Sequence, residues 1–304
     1  METDLENKFY KLIAEENERP EALKEAADLV LNASESGARD GLLALIYHDG
    51  IGVEQDMDRA FEYAEKAALK WHDGLGYYLL GYMCENAETP DQAEGGPRQK
   101  YDHYDAERFY ELSSKIDSPW RYDAVMWLGD YYMDMAKGGD PEIGVEYYES
   151  IAGSYAPAAE ALSDYYWDLA FPDHTDDTDW TKPLFKWTEV AEKTYPEEYA
   201  YRLGVLYSCG IGCERDTDKG TDLFVKAYEH GDWRGAQAMA ASIEELLANM
   251  PEMAPEPRQM RENEIQIWLH RAEELRQKDL LENPAERDNA RECSFKNEVQ
   301  NLRD

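Results

Sequence analysis

Apolar and polar positions alternate along this chain with the period of helices. From Met57 to Ala68 the apolar residues Ala60, Phe61, Ala64, Ala67 and Ala68 recur every three or four positions, which puts them on one helix face. A second kind of stretch combines a leucine, a small residue and a tyrosine. Leu43-Ala44-Leu45-Ile46-Tyr47-His48-Asp49-Gly50-Ile51-Gly52-Val53 matches Leu203-Gly204-Val205-Leu206-Tyr207-Ser208-Cys209-Gly210-Ile211-Gly212-Cys213 in order of residue type. Shorter copies begin at Leu80, Leu128 and Leu162, and a weaker one surrounds Met239. These register positions mark six helix pairs, each with a Leu-Gly-x-x-Tyr first helix, a loop and an amphipathic second helix.

Local chemistry agrees with that reading. Gly81, Gly129 and Gly204 each follow a register leucine. Glycine inside a helix costs about 1 kcal/mol relative to alanine, so packing against a close neighbour is the expected reason for it. Asp56 and Asp216 stand where second helices begin, as N-caps that accept free backbone N–H groups.

The whole spaced set resembles the Sel-one-like repeat family, a branch of the tetratricopeptide-like superfamily. The resemblance is fullest where Gly50-Ile51-Gly52-Val53, Asp56, Arg59-Ala60 and Lys66-Ala67-Ala68 follow the first helix. It is full again where Gly210-Ile211-Gly212-Cys213, Asp216, Lys219 and Lys226-Ala227 do so. It covers roughly residues 38 to 245. The middle copies lose the Gly-x-Gly turn and carry longer loops instead, Ala87–Gly96 and Pro172–Asp179.

The resemblance implies an all-α protein, a right-handed α-solenoid of about six stacked antiparallel helix pairs. The expected organisation is N-terminal capping helices over 1–37, the repeat solenoid over 38–250, a C-terminal capping helix over 251–283 and a charged tail over 284–304. Pro251, Pro255 and Pro257 break the chain before a helix that opens at Ile265.

Charge narrows the partners. The 304 residues hold 31 Lys+Arg against 66 Asp+Glu, a formal charge of −35, and nearly all of it lies in the first 257 residues. Such a surface repels phosphates and anionic headgroups, so direct nucleic-acid binding and membrane binding are excluded and basic or neutral partners expected. With 43% hydrophobic and 12% aromatic residues the chain folds despite the repulsion. No secretory leader or membrane span is apparent, which gives a cytoplasmic reading with reduced thiols at Cys84, Cys209, Cys213 and Cys293.

Catalytic apparatus is not apparent. The glycines at 50–52 and 210–212 lack the strand and third glycine of a phosphate loop, and the six histidines are dispersed. Cys209 and Cys213 lack two further metal ligands, and no metal or other cofactor is expected. Asp173, Asp176, Asp177 and Asp179 lack the glycine and glutamate of a calcium loop and read as a solvated acidic loop.

Solenoids of the tetratricopeptide type line their concave face with first helices. That analogy places Tyr78, Tyr82, Glu85, Asp130, Asp134, Asp164, Trp167, Asp168 and Tyr201 toward a groove. Carboxylates interleaved with aromatic rings suit a peptide or protein with a basic segment, through ion pairing and cation–π contact. The expected function is a non-enzymatic interaction scaffold or adaptor. Two alternatives stay open at this point: an acidic nucleic-acid mimic that inhibits a DNA- or RNA-binding protein, and a hydrolase with a dispersed carboxylate site.

Overall fold

The computed structural model describes residues 4–17, 19–86, 88, 101, 103–170 and 180–282. Among these residues there are fourteen α-helices and no strand. They fall into two compact units, Met1–Ile151 and Ala152–Asp304. The first holds α1 (Asp4–Ala14), α2 (Ala22–Leu31), α3 (Gly37–Asp49), α4 (Met57–Trp71), α5 (Gly74–Glu85), α6 (His103–Ser114), α7 (Trp120–Met133) and α8 (Pro141–Ile151). The second holds α9 (Ala156–Leu169), α10 (Thr181–Glu192), α11 (Pro196–Cys209), α12 (Thr217–Glu229), α13 (Trp233–Asn249) and α14 (Pro255–Glu282).

Within each unit consecutive helices pack as pairs, α1 with α2 through α7 with α8, then α9 with α10 through α13 with α14. This is the α-solenoid architecture. The register residues Leu43, Leu80, Leu128, Leu162, Leu203 and Met239 sit on six successive first helices, all buried.

Two turns account for the strongest sequence repeat. Gly50 and Gly210 end α3 and α11 in the left-handed conformation, at φ of 70° and 72°, and return their N–H groups to the carbonyls of Ile46 and Leu206. A side chain at either position would be strained. The following helices then start on Asp56 and Asp216, whose Oδ1 atoms accept the N–H groups of Arg59 at 3.1 Å and Lys219 at 3.0 Å. Each cap satisfies a donor that the first turn leaves free.

Helical glycines let rings approach. A Cβ at Gly204 would lie 2.7 Å from the Phe224 ring, and one at Gly129 would overlap the ring of Tyr148. Phe224 is fully buried as a result, which stabilises the α11/α12 pair by roughly 2–3 kcal/mol.

Near the C-terminus the structure differs from the expected helix start. Ile265 lies in the interior of α14, which begins at Pro255 and also contains Pro257. Proline is tolerated in the first helical turn because the N–H it lacks has no intrahelical partner there. Apart from Glu88, the loops at 87–96 and 172–179, with the aspartates at 173, 176, 177 and 179, lie outside the described residues, as do the tail 284–304 and Cys293. No described helix is long and apolar enough to cross a membrane.

Candidate partner-binding surface

The residues expected to line a groove divide between the units. Tyr78, Tyr82 and Glu85 on α5, Asp130 on α7 and Asp134 just after it belong to the first; Asp164, Trp167 and Asp168 on α9 and Tyr201 on α11 belong to the second. Their aromatic rings are largely internal. Tyr201 is 1% exposed, packed near Phe224 with the Arg234 guanidinium 4.8 Å from its ring centre. Trp167 is buried, and Tyr78 is half-buried between the rings of Tyr110 and Trp120. Neighbouring helices thus cover the rings of Trp167 and Tyr201, which do not line an open groove, while Tyr78 stays half-buried. Tyr82 alone of the four rings is exposed, with its ring against the His48 imidazole at 5.4 Å.

The carboxylates have internal work as well. Tyr110 Oη donates to Glu85 at 3.2 Å, Tyr148 to Asp130 at 2.6 Å and Tyr199 to Asp164 at 3.1 Å. The same pairing joins Tyr101 to Glu65 at 3.0 Å, Tyr132 to Glu107 and Tyr207 to Glu189. Burial first, and the adjacent carboxylate after it, push the Tyr110, Tyr148 and Tyr199 hydroxyls well above the usual tyrosine range; Tyr101 is raised to about 12 for the same reasons. Each phenol thus stays a neutral donor. The sequence signal for these pairs was present as abundant Tyr beside abundant acid, but partners 18 to 36 residues apart are set by helix stacking and not by local spacing.

Repulsion within the Asp pairs at i, i+4 is offset locally. Asp164 is ion-paired with Arg202 Nη1, from α11. Asp134 lies past the last residue of α7 and accepts the Ala136 N–H at 3.1 Å, so it is not held at helical spacing from Asp130. Asp168 is exposed.

Arg202 exposes a recurrent device. Its guanidinium carbon lies 5.2 Å from the centre of the Trp167 ring and 5.3 Å from that of Tyr199 while it pairs with Asp164. Arg234 likewise combines Asp232 at 3.0 Å with Tyr201, and Arg59 combines Asp56 at 3.3 Å with Tyr47 at 5.3 Å. An aspartate and a ring hold one arginine in each case.

On α7 Asp130 and Tyr131 supply an acid and a ring with no cation seated on them among the described residues. Trp127 lies three residues before Asp130 and four before Tyr131, so its ring neighbours both on the α7 surface. The Trp127 and Tyr131 rings stack at 5.0 Å with 11° between planes, and Tyr131 is 38% exposed. Asp130 is exposed too, and its hydrogen-bond partner, Tyr148 Oη, is neutral. Trp127 and Tyr131 were not among the residues read from the sequence, because their offset from Leu128 assigns them to packing.

His48 forms a second cluster on the same unit. Nδ1 lies 2.5 Å from Asp49 Oδ1 and Nε2 lies 3.0 Å from Glu88 Oε2. Burial works against the charged ring, but the hydrogen bonds to Asp49 and Glu88 outweigh it and raise the pKa above the ordinary histidine value. His72 and His230 follow the last residues of α4 and α12. Cys84 is buried and Cys209 and Cys213 are half-buried, and burial pushes the Cys213 thiol up, away from a reactive thiolate. Among the described residues no group of three His, Cys, Asp or Glu side chains could hold a metal ion.

The Sel1 repeat family model matches residues 42–70 and 198–232, the two stretches whose left-handed glycines and aspartate caps coincide. By that match the chain carries two Sel1 repeats. Comparison with curated proteins gives no match. Among solved structures, the chain is similar to a Sel1 repeat protein from Oxalobacter formigenes, at 15% identity over 89% of this chain and 97% of that one, with a TM-score of 0.48. It is also similar to a protective antigen of uropathogenic Escherichia coli strains that displays an SLR fold, at 18% identity over 84% of this chain, with a TM-score of 0.51. The chain spans 56% of the length of that antigen, and the likeness concerns the fold alone. Sel1-repeat proteins generally mediate protein–protein interactions.

Proposed function

We propose that this Sel1-repeat chain is a non-enzymatic, cytoplasmic interaction scaffold that binds a basic peptide or protein segment through carboxylates of its first helices. The observation that carries the reading is Asp130, an exposed carboxylate beside an exposed aromatic ring, in a chain of formal charge −35. Exposed acid of one sign steers a cationic partner and sets its register. The aromatic contact falls to Tyr131 and Tyr82, since Trp167 and Tyr201 are covered and Tyr78 is half-buried.

Fluorescence anisotropy with a labelled Lys/Arg-rich peptide tests this. Saturable binding at low salt that weakens as salt rises is expected. Reversing Asp130 and Asp168 to Lys weakens it by about tenfold or more. Affinity unchanged by the double reversal contradicts the reading.

A further inference from the structure

We infer that the α7 face of the first unit is an arginine-selective site, taking a guanidinium from the partner between Asp130 and the exposed face of Tyr131. The inference rests on the reading of the chain as a binder of basic segments and names the side chain that is recognised. Its argument is internal to the protein. Three arginines, Arg59, Arg202 and Arg234, each sit between an aspartate and an aromatic ring. The second unit fills its Asp164/Trp167 pair in this way with its own Arg202.

Asp130 and Tyr131 repeat the combination at the surface. Tyr148 has already given Asp130 one neutral hydrogen bond, which orients the carboxylate and leaves its charge uncompensated. Trp127 stacks on one side of Tyr131 and fixes the ring with part of its surface open. A planar guanidinium donates to the carboxylate and lies flat on the ring at once. An ammonium group is a compact, strongly hydrated charge and gains less from the ring. A lysine counterpart, Lys70 between Glu35 and Trp71, is half exposed and pairs with a glutamate rather than an aspartate.

The occupant is set by charge complementarity: an arginine-bearing segment of a basic protein partner. The test uses the full chain and two labelled Gly/Ser-rich peptides, one with spaced arginines and one with lysine at every arginine position. The arginine peptide is expected to bind about fivefold tighter than the lysine peptide. Tyr131→Ala brings that ratio close to one, whereas Tyr131→Phe keeps it, because the ring is retained. Circular dichroism confirms that both variants keep their helix content. Equal affinity for the two peptides, or a ratio that Tyr131→Ala leaves intact, overturns the arginine inference while the basic-segment reading stands. Absence of saturable binding by either peptide overturns both.

Discussion

Tyr148 illustrates how single residues in this protein carry two roles. Its ring occupies the space that Gly129 leaves without a Cβ, and its hydroxyl then reaches Asp130 on the opposite helix. The glycine was legible in the sequence as a point of close approach; the hydroxyl's destination was not, because it depends on how far α8 slides along α7. Tyr148→Phe keeps the ring and removes the donor, and a net loss of about 1 kcal/mol in urea unfolding is expected. A variant as stable as the parent would reduce the pair to a coincidence of packing. Trp167 and Tyr201 teach the complementary lesson. Their offsets from the register leucine specify a helix stripe, yet Arg202 and Arg234 come from farther along the chain to cover the rings. A helical period specifies a face without specifying what lies on it.

At the scale of elements, legibility follows local chemistry. Helix pairs, the left-handed glycine turns and the aspartate caps at 56 and 216 are all written within a few residues of where they act. The caps make a matched pair of predictions. Asp56→Ala and Asp216→Ala each lose a side-chain acceptor for an N–H in the first turn, and each costs about 1 kcal/mol, measured by thermal or urea unfolding. Replacement by Asn retains most of that stability, since the amide oxygen accepts the same bond. The start of α14 was harder to read. Three prolines resemble a long interruption, but only those compatible with the first turn lie inside the helix, and sequence spacing alone does not say where that turn begins.

For the molecule as a whole, the charge of −35 acquires internal structure. Part of it is engaged by tyrosine hydroxyls and arginines, while on first helices Asp168, and Asp130 beyond its one bond to Tyr148, stay exposed. The tyrosine pairs carry a pH signature. Unfolded phenols ionise near the ordinary value of 10.0, whereas Tyr110, Tyr148 and Tyr199 ionise well above it in the folded state. Above pH 10 the folded chain therefore holds more protons than the unfolded chain, and stability falls as pH rises. The melting temperature should decline progressively above pH 10, with the phenolate absorbance of these residues appearing at unfolding. Full ionisation of every tyrosine before unfolding would contradict their hydrogen-bonded burial. The claim that matters most is where a basic partner docks, and hydrogen–deuterium exchange on the full chain with and without the arginine peptide measures it. Added peptide should slow exchange across α7, residues 120–133, and leave α11, residues 196–209, unchanged, because Arg202 of α11 is already held by the acid and ring of α9, Asp164 and Trp167. Protection confined to α11, or none on α7 at saturating peptide, would contradict the account.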